Sequence, residues 1–187
     1  MKEIKLSEIA SGNIFKIGDI EFIKFSEENG EAVAVTKDIV FFSEYGKNNN
    51  FAESKVMERL EKEFLPKVTE IIGAENILEH ETDLISLDGL KTYGITTGRI
   101  SIPTFDFYRA NVEIFDNYKV DSWWWLATPD TTPEHINDKW CRCVSPVGAM
   151  NDDDYRNFNG GVRPFLKFVS SIFVSSEEDK RDTLGGE

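Results

Sequence analysis

The feature that most constrains this chain is a run of three tryptophans, Trp123, Trp124 and Trp125, within residues 122–129. A buried indole removes about 150–250 Å² from water, so the run is expected to anchor a core. Because side chains alternate between the two faces of a strand, Trp123 and Trp125 are predicted to point one way and Trp124 the other. We expect at least two of the rings to be buried, with Trp123, at a polar border, partly exposed.

A second apolar segment, residues 160–168, follows later in the chain and is predicted to close the sheet. Pro164 has no backbone N–H, which indicates a bulge or an edge position. Arg163 lies between apolar residues and, once buried, needs a carboxylate or carbonyl partner, because an unpaired buried charge is costly. The two segments are therefore assigned a structural role, carried by Trp124, Trp125, Arg163 and Pro164.

Between these segments lies a polar loop, residues 151–159, rich in Asn and Asp. Such residues are unsuited to burial, and aromatic side chains mixed with amides are typical of contact surfaces in binding proteins. We predict that this loop, with the preceding strand at residues 140–144, forms a ligand-facing patch. The predicted ligand-binding residues are Trp140, Arg142, Asn151, Asp152, Asp153, Asp154, Tyr155, Asn157 and Asn159.

Length and charge limit the organisation of the chain and its partners. Its 187 residues suffice for one domain, predicted at residues 1–174, followed by a disordered polar tail at residues 175–187. The net charge of −13 disfavours nucleic acid and anionic membranes, since both need a basic face. The sequence shows no apolar run of roughly 18 residues for membrane insertion and no signal peptide. The expected location is the cytoplasm at synthesis, with a virion or release on lysis as alternatives.

Turn signals and apolar periodicity give the expected elements. Gly18-Asp19 and Asn29-Gly30 predict tight turns of hairpins. The predicted strands are 14–17, 20–25, 32–35, 39–42, 77–78, 84–87, 122–129, 140–144 and 162–168. The strand at 39–42 is expected to continue the sheet of the first hairpins. The predicted helices are 51–65, 67–72 and 105–110, the last with Thr104 as N-cap. The expected fold is α+β, with antiparallel sheets and two or three flanking helices.

Residues suited to catalysis or metal binding are few. His80 and His135 are both predicted to be exposed, and Glu134 beside His135 lacks the spacing of a metal site. Cys141 and Cys143 are predicted to be reduced core thiols, because residues two apart in a strand are poorly placed to form a disulfide. No catalytic residue, metal or cofactor is predicted. Calcium bound by the acidic loop is the alternative reading, since carboxylate and amide oxygens are its preferred ligands.

Two motifs carry a resemblance to a known family. Trp-Trp-Leu-Ala-Thr-Pro at residues 124–129 and Val-Arg-Pro-Phe-Leu at residues 162–166 resemble the Trp-Trp-Leu-Arg-Ser-Pro and Val-Arg-Pro-Ala-Leu motifs of an uncharacterised domain family of Firmicutes and their phages and prophages. The resemblance spans residues 10–168. Ala127-Thr128 stands where the family has Arg-Ser. The resemblance implies a C-type-lectin-like fold, shared with formylglycine-generating enzymes and with receptor-binding proteins diversified by phage retroelements.

The functional hypotheses fall into three classes. The first is a non-enzymatic module that binds a protein or glycan receptor on a cell surface, encoded by a phage or prophage and diversified by a retroelement. The second is an enzyme or enzyme accessory on a scaffold like that of the formylglycine-generating enzymes. The third is a structural protein whose polar loop has no ligand. Fold alone does not decide between them, because one scaffold hosts many functions.

Overall fold

The computed structural model describes residues 2–154 and 159–176, which form an α+β fold. The strands are β1 Lys2–Lys5, β2 Ile14–Ile17, β3 Ile20–Glu28, β4 Glu31–Thr36, β5 Phe41–Ser43, β6 Ile77–Leu78, β7 His80–Asp83, β8 Ile95–Gly98, β9 Trp124–Pro129, β10 Trp140–Val144, β11 Met150–Asp154, β12 Gly160–Val162, β13 Phe165–Val169 and β14 Phe173–Ser176. The helices are α1 Lys55–Arg59, α2 Leu65–Ile72, α3 Phe105–Ala110 and α4 Val112–Asn117.

Within residues 2–154 and 159–176, the strands form three sheets, and their pairing is antiparallel with one exception. The seven-stranded sheet has the order β1-β14-β2-β3-β4-β13-β6, and the five-stranded sheet has the order β11-β10-β9-β12-β5. Strands β7 and β8 pair separately. The exception is β12, which lies parallel to β9 with Gly161 opposite Trp124. The predicted class, α+β with antiparallel sheets, is confirmed.

The turn residues explain the first hairpins. Gly18 and Gly30 have φ of +58° and +82°, and Asn29 has φ of +53°, a left-handed conformation that Gly and Asn tolerate. They join β2 to β3 and β3 to β4, as the sequence predicts. Strand β5, predicted to continue this sheet, instead pairs with β12 in the five-stranded sheet. That prediction is wrong, because Gly161 and its neighbours supply a partner that is distant in sequence.

The tryptophan run lies in the core, as predicted. Trp124 and Trp125 are 2% and 0% exposed and belong to separate hydrophobic clusters, because strand alternation sends them to opposite faces of β9. The indole Nε1 of Trp125 donates to the carbonyl oxygen of Ser43 at 2.8 Å. Gly160 allows β12 to pass against this ring, since a Cβ there would clash with the indole. Trp123 lies at the border and is 37% exposed.

The segment predicted as one closing strand, 162–168, is divided between two sheets. β12 ends at Val162 in the five-stranded sheet, and β13 begins at Phe165 in the seven-stranded sheet. Arg163 and Pro164 are the link, so Pro164 marks a change of sheet and not a bulge. Arg163 is 1% exposed, and its Nε donates to the Thr36 carbonyl oxygen at 3.1 Å, a carbonyl partner of the predicted kind.

Helical segments cover the sheets largely where the sequence predicts them. Ser54 caps α1 by accepting a hydrogen bond from Met57 N, and a π-helical turn, Leu60–Phe64, joins α1 to α2. Gly73, with φ of +83°, ends α2. Thr104 caps α3 through Phe107 N, which confirms the predicted N-cap. The predicted helix 51–65 is thus broken into a 3₁₀ turn, α1 and the π-helical turn.

Residues 74–100 depart most from prediction. Segment 84–87, predicted as a strand, is not one in the structure. The region contains the predicted β6 and two further strands, β7 and β8. His80, predicted to be exposed, is 5% exposed because it lies in β7 against Phe165, with ring centroids 5.0 Å apart. Its Nε2 is 2.9 Å from Ser101 Oγ, and burial lowers the pKa of His80 to about 4. His80 is therefore a neutral, inward-facing side chain at pH 7.

The predicted tail begins inside the sheet. Ser175 and Ser176 belong to β14 and pair with Glu3 and Lys2 of β1, while residues 177–187 lie outside the described residues. Among the helices described, none is long and apolar enough to span a membrane.

Candidate functional site

The predicted patch centres on a β-hairpin and not on a loop. β10 and β11 pair in register, with Arg142 opposite Asp152 and Cys143 opposite Asn151. Residues 151–154 were predicted as loop because Asn and Asp are depleted in strands. They form an edge strand because β10 supplies a complete row of backbone partners, and an edge position tolerates polar side chains on both faces.

Strand pairing sorts the predicted residues onto two faces of the hairpin. Directly opposite residues share a face, so Trp140, Arg142 and Asp152 lie on one side. Asn151 and Asp153 lie on the other side, opposite the thiols of Cys143 and Cys141. Asp154 pairs with Trp140 and is 8% exposed.

Arg142 is held between two carboxylates. Its guanidinium forms an ion pair with Asp130, and its Nη1 is 3.8 Å from Asp152 Oδ1. Its side chain is 21% exposed. Trp140, 36% exposed, lies two residues earlier on the same strand. We call the three charged residues the Asp130–Arg142–Asp152 ladder. The ladder and the Trp140 ring together present an apolar surface flanked by hydrogen-bonding groups.

The two cysteines on the other face of β10 are core residues, as predicted. Cys141 and Cys143 are free thiols, 0% and 1% exposed. Burial raises the pKa of Cys141 well above its usual value and raises the pKa of Cys143 to about 12. Because the thiolate is the reactive form of cysteine, both side chains are poor nucleophiles at neutral pH.

A polar network lies next to the hairpin, centred on Asp88. Its carboxylate accepts hydrogen bonds from Ser86 Oγ and, at 2.5 Å, from Thr131 Oγ1. The same carboxylate lies 2.8 Å from His135 Nδ1. These hydrogen bonds lower the pKa of Asp88 far below its usual value of 3.8, and the bond from Ser86 has the largest effect, followed by the bond from Thr131. His135 is half-exposed, as predicted. Asp88 therefore remains ionised and orients the imidazole.

Asn49 joins this network to the hairpin. It is 0% exposed, and its Nδ2 donates to the Thr131 carbonyl oxygen at 2.8 Å and to the Trp140 carbonyl oxygen at 3.0 Å. Tyr93 donates its hydroxyl proton to Asn49 Oδ1 at 2.8 Å. Asp130 N donates to the same Trp140 carbonyl at 3.2 Å. The backbone that carries the Trp140 ring is thus fixed from two sides.

The remaining predicted residues do not join this surface. Asn159 is exposed but lines a groove of about 610 Å³ beside β5, at the opposite edge of the five-stranded sheet from β11. The charges described there are paired, Lys55 with Glu44 at 2.8 Å for example. Tyr155 and Asn157 lie outside the described residues.

Sequence reasoning missed the residues that hold the site. Asn49 appears in the sequence within residues 47–50, a run that interrupts the strand pattern and offers caps for the helix that follows, and Asp88 appears as half of a turn. Neither position carries a local signal, because their partners at Trp140 and His135 are distant in sequence. Glu134, considered with His135 for a metal, accepts a hydrogen bond from Thr92 Oγ1 at 2.7 Å. In the described part of the chain, no three His, Cys, Asp or Glu residues are grouped as metal ligands.

The hairpin surface offers contact chemistry. An aromatic face, a guanidinium and carboxylate oxygens can together pack against a ligand and exchange hydrogen bonds with it. The family indicated by residues 124–129 and 162–166 stays a prediction, as does its lectin-like fold. No family model, curated protein or solved structure matches the chain.

Proposed function

We propose that this chain is a non-enzymatic binding module that recognises a cell-surface receptor through the β10–β11 hairpin. The observation that carries the proposal is the exposed ring of Trp140 beside the Asp130–Arg142–Asp152 ladder. An indole supplies a large, rigid contact area, and the flanking groups supply directional hydrogen bonds.

A glycan suits this surface better than a charged ligand. The guanidinium of Arg142 already has carboxylates on two sides, so the ladder has no spare positive charge for an anion. The net charge of −13 disfavours acidic ligands further. Sugar hydroxyls both donate and accept hydrogen bonds, which matches a surface with both kinds of group. A protein receptor is the other outcome that the binding test distinguishes.

The hairpin is preorganised for binding. Asn49 and Asp130 both donate to the Trp140 carbonyl oxygen, and Arg142 is fixed by its carboxylates. A surface that is ordered before binding loses less conformational entropy when the ligand arrives. This rigidity supports recognition by the hairpin face.

The C-type-lectin-like fold and a phage or prophage origin belong to the same proposal. The α+β arrangement of antiparallel sheets and the motifs at residues 124–129 and 162–166 support them. The diversified version has a direct test in the gene neighbourhood. A template repeat and a reverse transcriptase beside the gene are expected, and their absence would remove diversification while leaving ligand binding in place.

An enzyme or enzyme accessory is the second candidate, favoured by the Asp88–His135 contact of 2.8 Å. In many enzymes the general base is a histidine whose Nδ1 is oriented by a carboxylate, and His135 and Asp88 have this arrangement. The buried thiols of Cys141 and Cys143 count against chemistry of the formylglycine-generating type, which needs a reactive thiolate. Substitution His135→Ala separates the two functions, because it removes general-base catalysis and leaves the Trp140 ring in place.

The test is binding of the full chain to a glycan array and to bacterial cell-surface preparations. Substitution Trp140→Ala is expected to weaken binding strongly, by about 30-fold or more. Trp123→Ala is the matched control, since the two rings are 36% and 37% exposed. Binding that survives Trp140→Ala would mean that another surface is used. A wild-type chain that binds neither glycans nor cells would favour a structural protein without a ligand.

A further inference from the structure

Arg163 is a buried cation whose hydrogen-bonding capacity the fold does not fill. Apart from the bond from Nε to Thr36, its guanidinium lies over the rings of Trp124 and Phe115, with Cζ 5.0 and 5.3 Å from the ring centroids. Within the described residues, Nη2 has no hydrogen-bond partner. A buried donor without an acceptor is costly, so native structures rarely leave one empty.

The guanidinium also lacks a close counter-charge. The described part of the chain contains no ion pair to Arg163, and Asp38 acts on it through weaker, longer-range attraction. Burial outweighs that attraction and lowers the pKa of Arg163 to about 10, so the group is still a cation at neutral pH. The region therefore holds a positive charge that neighbouring side chains leave uncompensated.

A small cavity lies beside this guanidinium. Its volume is about 10 Å³, which is room for a particle of roughly one water molecule. Its polar lining consists of Arg163, Tyr108, Ser145, Gly148, Asp116 and Lys119. The last two are about half-exposed, so on their side the lining of the cavity reaches the protein surface. This volume matches a water molecule or a monoatomic ion, and a carboxylate or phosphate group is larger.

The lining offers further donors to a particle in the cavity. Ser145 Oγ accepts from Ala149 N at 2.9 Å, and its own proton is left to donate. The Lys119 ammonium is 3.4 Å from Asp116 Oδ1. An ammonium has three N–H groups, so the others can donate to a particle in the cavity. The Tyr108 hydroxyl, by contrast, already donates to the Gly148 carbonyl oxygen at 2.9 Å.

We infer that this cavity is a binding site for one monoatomic anion, with chloride as the physiological example, held by Nη2 of Arg163. A water molecule would fill the volume and accept one hydrogen bond. An anion supplies the acceptor and the missing counter-charge together, and such charge-assisted bonds are the stronger kind. The cavity borders the turn of the β10–β11 hairpin through Ser145 and Gly148, but its described lining does not include Trp140 or the Asp130–Arg142–Asp152 ladder. Either proposal can therefore fail without the other.

Thermal unfolding of the full chain tests the inference when chloride replaces isethionate at constant ionic strength. Isethionate is too large for the cavity. The melting temperature of the wild type is expected to rise with chloride, to saturate, and to rise in the same way with bromide, because a bound ligand stabilises the folded state. Equal melting temperatures in chloride and isethionate would overturn the inference and leave water as the occupant.

Three variants locate the effect. Arg163→Gln is expected to remove the chloride-dependent rise, and Arg142→Gln, an arginine already flanked by carboxylates, is expected to keep it. A rise that survives Arg163→Gln would place the ion elsewhere. Asp116→Asn changes a half-exposed carboxylate, so this variant is expected to fold and tests the site even where Arg163→Gln fails to fold. It removes repulsion at the entrance and is expected to lower the chloride concentration at half-saturation at least twofold, and an unchanged value would count against this site.

Discussion

Two arginines of the same region show how the fold uses a positive charge in opposite ways. Arg142, in β10, is partly exposed and flanked by Asp130 and Asp152. Arg163, between β12 and β13, is 1% exposed and has a carbonyl oxygen and two aromatic rings as its neighbours. A neutralised charge at the surface favours an uncharged polar ligand. An uncompensated charge in the interior favours a small anion.

The difference follows from the position of each residue in the chain. Arg142 belongs to a hairpin, where register places Asp152 directly opposite it. Arg163 lies where the chain changes from one sheet to the other, so its neighbours come from the core, Trp124 and Phe115 among them. Each arginine keeps one buried N–H without a hydrogen-bond partner in the described residues, Nε of Arg142 and Nη2 of Arg163. Local pairing therefore supplies carboxylate counter-charges to the first arginine, whereas the described residues give the second no ion pair.

The largest expected effect concerns the Arg142 side of the comparison. Trp140→Ala should weaken binding of the best glycan from the array by about 30-fold or more, as expected for an aromatic hot spot worth about 2 kcal/mol. Trp123→Ala should change the affinity less than about twofold. Isothermal titration of both variants measures this. Equal losses would mean that the contact surface is not centred on Trp140.

The second largest effect concerns stability, because substitution of the two arginines should lower the free energy of unfolding by different amounts. Arg163→Met leaves the Thr36 carbonyl oxygen unpaired and is expected to lower the free energy of unfolding by about 1–2 kcal/mol in chloride buffer. Arg142→Met removes partly exposed ion pairs and should cost less than about 1 kcal/mol. Urea unfolding of the two variants decides the point. A larger loss for Arg142→Met would reverse the comparison.

The network around Asp88, beside the hairpin, should make the free energy of unfolding decrease at acidic pH. Hydrogen bonds from Ser86, Thr131 and His135 lower the pKa of Asp88 in the folded state below its usual value of 3.8. The stabilisation by this carboxylate is therefore fully present above about pH 4 and is lost as the pH falls through the folded-state pKa. Asp88→Asn should flatten the fall in unfolding free energy below pH 4, measured by urea unfolding at several pH values. A variant with the same acid profile as the wild type would contradict this.

The smallest effect concerns salt. Because the carboxylates already neutralise Arg142, raising NaCl from about 50 to 300 mM should change glycan affinity less than about twofold. A titration series at three salt concentrations measures it. A steep loss of affinity with salt would show that the ligand is charged and that the ladder opens to receive it.

Local signals predicted much of the fold. The turns at Gly18 and Asn29-Gly30, the cap at Thr104 and the alternation of Trp124 and Trp125 all depend on residues close in sequence. These elements were predicted correctly because backbone conformation and side-chain alternation are decided within a few residues.

Pairings distant in sequence were not predictable. β5 joins β12, and residues 162–168 change sheets at Arg163, because their partners come from far along the chain. The candidate site is similar. Trp140 and Arg142 were predicted from composition, whereas Asn49 and Asp88 become visible once the fold brings them to Trp140 and His135.

The central claim is that the hairpin face around Trp140 contacts the ligand. Oxidation of exposed indoles by N-bromosuccinimide, followed by mass spectrometry of peptides, tests it within one molecule, since Trp123 and Trp140 are 37% and 36% exposed. With saturating glycan bound, Trp140 should be protected and Trp123 should react as in the free chain. Protection of Trp123 alone, or of neither ring, would contradict the account.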